Sequence, residues 1–116
     1  PAAERWLRYV SSYSTGGCAF ESASQARREQ LLANSAGLFA DLASGGGTID
    51  ESLLGNISVP VTIVDAGLSP RFLRRSSHRL RQLLPQARKV TLEQSGHWVA
   101  LDAHEDVLRI LRDAAH

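Results

Sequence analysis

The chain has 116 residues, of which 43% are hydrophobic and 22% are charged, with 13 basic and 12 acidic side chains. This size and composition predict one globular unit with a single core and exclude a multidomain organisation. The longest apolar run, residues 59–66, is far shorter than the roughly 20 residues that cross a bilayer. Since the net charge is only +1, we expect neither nucleic acid nor a membrane as a partner.

The sulfur-containing residues give two further expectations. Cys18 is the only cysteine and the chain contains no methionine. One thiol cannot form an internal disulfide and does not supply a zinc site, so we expect no metal centre and a reducing, cytoplasmic location. A sequence that begins at Pro1 and lacks Met predicts that translation starts elsewhere and that the chain is a portion of a longer protein.

Residues 1–56 contain only helix and loop signals. Residues 3–10 and 24–44 have apolar side chains at helical spacing, and each segment is followed by a run of glycines. The side chains of the longer stripe are Leu31, Leu32, Leu38, Phe39 and Leu42. Asp50 is expected to cap a short helical turn that ends at Asn56.

Residues 57–116 have a different character. The β-branched run at residues 59–64 predicts a strand buried on both faces, as in a parallel sheet. Ser69 and Pro70 predict the N-cap and first residue of a helix, which Pro85 ends. Its expected inward-facing side chains are Leu73, Leu80 and Leu84.

A second strand, a loop and a last helix are predicted at residues 87–93, 95–98 and 105–113. The resulting β-α-β-loop-α order predicts a right-handed parallel crossover and an α/β fold class. Two strands leave two open sheet edges, so we expect a sheet partner. This partner is either a missing part of the protein or a second chain, including a homodimer.

Three segments resemble, in this order, the C-terminal half of an α/β-hydrolase. They are the apolar strand from Ile57 that leads to Gly67, the Leu-Leu-Pro-Gln-Ala run at residues 83–87, and Ser-Gly-His-Trp-Val at residues 95–99. The resemblance implies a partial α/β-hydrolase fold. Residues 1–56 would be a helical cap or connector segment, and residues 57–116 the C-terminal part of the core.

The resemblance implies a serine hydrolase of the esterase type, with His97 as the catalytic base, a small-molecule substrate and no cofactor. The sequence contains no G-x-S-x-G nucleophile motif, so the serine and the oxyanion hole are expected in a missing N-terminal half. This chain alone is not expected to catalyse acyl transfer. The alternatives are a cofactor-free oxygenase or haloperoxidase-like enzyme of the same fold, and a non-catalytic interaction protein.

The acid of the implied catalytic triad is absent from its usual place. In the family it follows the strand just after the residue equivalent to Gly67, where this chain has Leu-Ser-Pro and no carboxylate. Asp65 is the nearest substitute that could orient His97, and it could equally cap backbone amides at the strand end. Asp102 is expected to be a surface or helix-start charge.

Trp98 follows His97 directly and is a candidate substrate-binding residue, with packing of the loop against the core as the alternative. The other aromatic residues, which could form a cap wall or simply pack between helices, are Trp6, Tyr9, Tyr13, Phe20 and Phe39.

Seven of the thirteen basic residues lie between Arg71 and Lys89. Five are arginines of one predicted helix, spread around more than half of its circumference, without interleaved aromatic residues. This pattern predicts a solvated outer helix rather than a phosphate-binding face.

Overall fold

The computed structural model describes residues 2–45 and 49–115. Within these ranges the elements are, in chain order, α1 (Ala2–Val10), α2 (Ala19–Ser22), α3 (Gln25–Ala33), α4 (Ser35–Ala43), a 3₁₀ helix (Glu51–Asn56), β1 (Thr62–Ala66), α5 (Arg71–Leu83), β2 (Arg88–Leu92), α6 (Val99–Asp102) and α7 (His104–Ala114). None of the described helices is long and apolar enough to cross a membrane. The mixed helix and strand composition confirms the α/β class.

The helices of the N-terminal segment surround a small apolar cluster. Leu7, Cys18 and Phe20 form its buried centre, and the half-buried side chains packed against it are Leu31, Leu32, Leu38 and Trp98. The predicted helix at residues 24–44 is two helices, because the chain turns at Asn34 between α3 and α4. Of the predicted stripe, Phe39 and Leu42 are exposed.

Two helices in this segment have side-chain caps, of which the one at Asp50 was predicted and is confirmed. The Ser24 hydroxyl accepts a hydrogen bond from the Arg27 amide, and an Asp50 carboxylate oxygen accepts one from the Ser52 amide at 3.0 Å. These local interactions satisfy amides that a helix start leaves without partners. The predicted glycine stop includes Gly46 and Gly47, which lie outside the described residues.

The two strands form a parallel sheet, as predicted, with Thr62 opposite Arg88 and Ala66 opposite Leu92. Beneath it lies a second cluster, whose buried residues are Ile63, Leu84 and Ala87. The first strand is shorter than predicted, because its pairing begins where the Arg88 amide donates to the Val61 carbonyl. Val59 lies before this point and is 67% exposed. The prediction of a strand buried on both faces is therefore wrong for its first residues.

Helix α5 connects the strands and packs on β1. Pro70 precedes its first residue, and no side chain caps the helix, so the predicted capping by Ser69 is wrong. Leu84 is buried as expected, whereas Leu80 lies at the surface.

The loops at the carboxyl ends of the two strands are joined by backbone hydrogen bonds. The Gly67 amide donates to the Leu92 carbonyl at 2.8 Å, and the Leu68 amide donates to the Ser95 carbonyl at 2.9 Å. A Cβ atom on Gly67 would lie 2.6 Å from the backbone oxygen of Glu93. This close approach requires glycine and fixes the relative position of the two loops.

Candidate functional site

His97 lies in the loop that follows β2, beyond the carboxyl end of the strand, where open α/β sheets usually bind ligands. It lines a cavity of about 580 Å³, which we call the histidine cavity. The walls come from α1, α3, α4 and the segment after β2, and they are lined by Trp6, Leu7, Val10, Arg27, Leu31, Leu38, His97, Trp98, Val99, Ala100 and Leu101. The imidazole thus stands beside a mostly apolar space.

The backbone beside His97 is held by Asp102. One carboxylate oxygen of Asp102 accepts a hydrogen bond from the Gly96 amide, and the other accepts one from the Tyr13 hydroxyl, both at 2.8 Å. A Cβ atom on Gly96 would lie 2.6 Å from the Tyr13 ring, so the ring rests directly on this glycine. The loop is therefore fixed on the N-terminal side of His97.

Tyr13 is a neutral donor in this arrangement. Burial, together with the hydrogen bond to Asp102, raises the pKa of the Tyr13 hydroxyl from 10.0 to about 12. Because deprotonation would place two negative charges next to each other, the bond to Asp102 depends on the neutral phenol.

Asp65 lies in the last part of β1 and is only 7% exposed. Its carboxylate lies 3.7 Å from a guanidinium nitrogen of Arg74 and 3.9 Å from one of Arg81. Within the described ranges, no hydrogen bond or ion pair joins Asp65 to His97, and the two residues line different cavities. The structure therefore does not bring together the predicted base and the predicted acid.

Asp65 lines a second cavity, of about 480 Å³, which we call the arginine cavity. Its lining residues are Ser14, Asp65, Ser69, Arg71, Arg74, Arg75, His78 and Arg81. Four of the five arginines of α5 converge here, whereas Arg79 pairs with Glu51. The predicted solvated helix is confirmed, since Arg71, Arg74, Arg75 and Arg79 are exposed. Four of its arginines nevertheless line one cavity, because positions i, i+3, i+4 and i+10 lie on one face of a helix.

For Trp98 the packing alternative is confirmed. Trp98 lines the histidine cavity and also packs against the cluster of Leu7, Cys18 and Phe20. The other aromatic residues do not form one wall. Phe20 is buried in the core, whereas Tyr9 stacks on Phe72 with ring centroids 5.4 Å apart.

The sequence did not reveal the role of Asp102 or Tyr13. Asp102 is the last residue of α6 rather than a helix-start charge, and it is half-buried. Asp102 lies only six residues after Gly96, and this short separation is a local signal that could have suggested a hydrogen bond across the loop. Tyr13 lies 89 residues from Asp102, and no sequence pattern links such distant residues.

The described part of the chain contains no group of three or more His, Cys, Asp or Glu side chains that could hold a metal ion. Comparison of the sequence and structure with protein-family models, curated proteins and solved structures found no match.

Proposed function

We propose that this chain is the C-terminal portion of a serine hydrolase with an α/β-hydrolase fold, and that His97 is its general base. The observation that carries this proposal is the position of the imidazole at the edge of the apolar histidine cavity, beyond the carboxyl end of β2. The helices of residues 2–45 form the opposite wall, as a cap segment would. An ester with an apolar acyl or alcohol group fits such a space.

In this proposal the serine nucleophile belongs to a part of the protein outside this chain. The two-stranded sheet leaves one edge of β1 and one of β2 without a partner strand among the described residues. Strands of an N-terminal half would pair there and bring a serine and oxyanion-hole amides to the carboxyl end of the sheet. Pairing along a parallel edge would complete the fold and the site together.

In the proposed reaction, His97 accepts the proton of the serine hydroxyl as the oxygen attacks the ester carbonyl. The imidazolium then gives this proton to the departing alkoxide, and a second cycle with water releases the acid. Trp98 lies on the same cavity and would contact the apolar part of the substrate. The Asp102 anchor would hold the histidine loop in place during both cycles.

The contacts of Asp65 and Asp102 indicate whether either carboxylate could orient the imidazole of His97. Both oxygens of Asp102 already accept hydrogen bonds, and Asp65 lies beside Arg74 and Arg81. Asp65 would have to leave these guanidinium groups to reach the imidazole, which costs ion-pair energy. These contacts favour an acid supplied by the same missing half as the nucleophile.

The test is ester turnover by the full protein that contains this chain, with p-nitrophenyl acetate and p-nitrophenyl butyrate as substrates. His97→Ala should lower kcat/KM by about a hundredfold to ten-thousandfold, because general acid–base catalysis contributes this much. His104→Ala, at the exposed start of α7, is the matched control and should leave turnover unchanged. Equal turnover by the wild type and His97→Ala would refute the proposal.

A second candidate is a non-catalytic interaction protein of the same fold. It is favoured by the imidazole of His97, which has no hydrogen-bond partner among the described residues to fix its tautomer. A catalytic base needs such a partner. Wild-type protein without ester turnover, yet with normal folding, would support this candidate.

A further inference from the structure

We propose that the arginine cavity binds a phosphate monoester. The site lies on α5 and the end of β1, apart from the histidine cavity, and the inference does not depend on hydrolase activity.

The lining carries an excess of positive charge. Four guanidinium groups face one carboxylate, that of Asp65, which leaves three positive charges if His78 is neutral. Asp65 approaches Arg74 only to 3.7 Å, beyond hydrogen-bond distance, so the N–H donors of Arg74 remain available. Arg71 and Arg75 form no ion pair within the described parts of the chain.

One buried polar atom at the cavity lacks a partner. Ser69 is only 4% exposed and its side chain lines the cavity. The Nε atom of Arg81 is fully buried and has no acceptor in the described structure. Its Nη2 atom donates to the Thr91 hydroxyl at 2.8 Å, which anchors this guanidinium on β2. A buried donor without an acceptor is costly, so an oxygen-rich ligand near Arg81 would stabilise this group.

The start of α5 adds further donors beside Ser69. Pro70 has no amide hydrogen, no side chain caps the helix, and its first turn contains no acidic residue. The first amides of this 13-residue helix therefore carry the positive end of the helix dipole without a compensating group. Helix starts of this kind bind phosphate in many proteins.

The ligand chemistry follows from charge and size. Arginine binds phosphate in a bidentate manner, and a dianion compensates the three excess charges better than a monocarboxylate. A volume of about 480 Å³ lies in the range of small-molecule sites and leaves room for an organic group attached to the phosphate. No aromatic side chain lines the cavity, so base stacking does not favour a nucleic-acid strand.

The experiment is calorimetric titration of the full protein with phenyl phosphate at low and at moderate salt. We expect saturable binding of one ligand per chain. The double variant Arg71→Gln/Arg75→Gln should weaken it at least about tenfold, because it removes two charge-assisted contacts, and Ser69→Ala about threefold to tenfold. The charge-matched control is Arg5→Gln/Arg112→Gln, on α1 and α7 outside the cavity, which should bind as the wild type does.

A second arm identifies the source of the phosphate. Co-sedimentation with phosphatidylcholine vesicles containing phosphatidic acid tests a lipid headgroup, and retention of binding only in solution indicates a soluble monoester. Absence of saturable binding in both arms would overturn the proposal. An equal loss in the cavity variant and the control variant would also overturn it, since that result indicates nonspecific attraction.

Discussion

The histidine cavity and the arginine cavity lie at the same end of one small parallel sheet, yet they are built differently. The histidine cavity is mostly apolar, and its walls come from helices that are distant in the sequence. The arginine cavity is strongly charged, and most of its lining comes from β1 and the helix that follows it. The histidine cavity therefore depends on packing between the two halves of the chain, whereas the arginine cavity depends mainly on one strand and the helix that follows it.

This difference explains the position of Asp65. Strand β1 contributes its last residues to the arginine side, where α5 covers them, so the carboxylate lies near Arg74 and Arg81 rather than near His97. The histidine loop is instead anchored by Asp102 and Tyr13. The two cavities thus have separate carboxylates with separate tasks, and substitutions should affect them separately.

A substitution where the loops after β1 and β2 meet, at Gly67, should affect both cavities. Gly67→Ala places a Cβ atom 2.6 Å from the backbone oxygen of Glu93 and forces the two strand-end loops apart. We expect a loss of about 2–3 kcal/mol in the free energy of unfolding, measured by urea denaturation. In the control Gly37→Ala, inside α4, the added atom meets nothing within 4 Å. This control should gain about 0.5–1 kcal/mol, and equal behaviour of the two variants would contradict the close approach.

Asp102→Ala should disturb the histidine side alone. It leaves the Gly96 amide and the Tyr13 hydroxyl without their acceptor, so we expect a loss of about 1.5–3 kcal/mol in the free energy of unfolding. Phenyl phosphate affinity should not change. The control Asp113→Ala breaks an exposed ion pair with Arg88 and should cost less than about 1 kcal/mol. A weaker phosphate affinity in Asp102→Ala would show that the cavities are coupled.

The same anchor should give the protein a distinct alkaline transition. Because folding raises the pKa of Tyr13 to about 12, the folded state keeps a proton that the unfolded state loses above its value of 10.0. The stabilisation is fully present below pH 10 and is lost as the pH rises towards 12. Urea denaturation between pH 9 and 12 should show this decline in the wild type. Tyr13→Phe should lack this loss of stability between pH 10 and 12. A decline equal to that of the wild type would contradict the assignment of the transition to Tyr13.

The smallest expected effect is that of Asp65→Asn, which separates the two cavities most cleanly. Removal of the carboxylate raises the excess charge of the arginine cavity, so phenyl phosphate should bind about twofold to fivefold more tightly. Ester turnover by the full protein should stay within about twofold of the wild type. A fall in kcat of a hundredfold or more would instead identify Asp65 as the acid that orients His97.

Local signals in the sequence predicted the parts of the fold that depend on neighbouring residues. The cap at Asp50 and the order of β1, α5 and β2 are confirmed, because capping and strand-helix-strand patterns act over a few residues. The predicted start of β1 was wrong, because the partner strand, and not β propensity, decides where strand pairing begins.

The candidate sites depend in part on contacts that no local pattern encodes. Arg81 reaches the arginine cavity because α5 packs on β1 and Thr91 holds its guanidinium. The interpretation that the arginines are spread around more than half of the helix was wrong, because the spacing of Arg71, Arg74, Arg75 and Arg81 already places them on one face. The contact between Tyr13 and Asp102 likewise joins residues from opposite ends of the chain.

The most direct test of the central claim, that His97 is the base of a serine hydrolase, is fluorophosphonate labelling of the full protein followed by intact mass measurement. If His97 is this base, we expect one adduct per molecule on a serine outside these 116 residues. We also expect labelling about a hundredfold slower in His97→Gln, because the serine loses its base. Absence of an adduct on the wild type, or equal labelling rates in the two proteins, would contradict the claim.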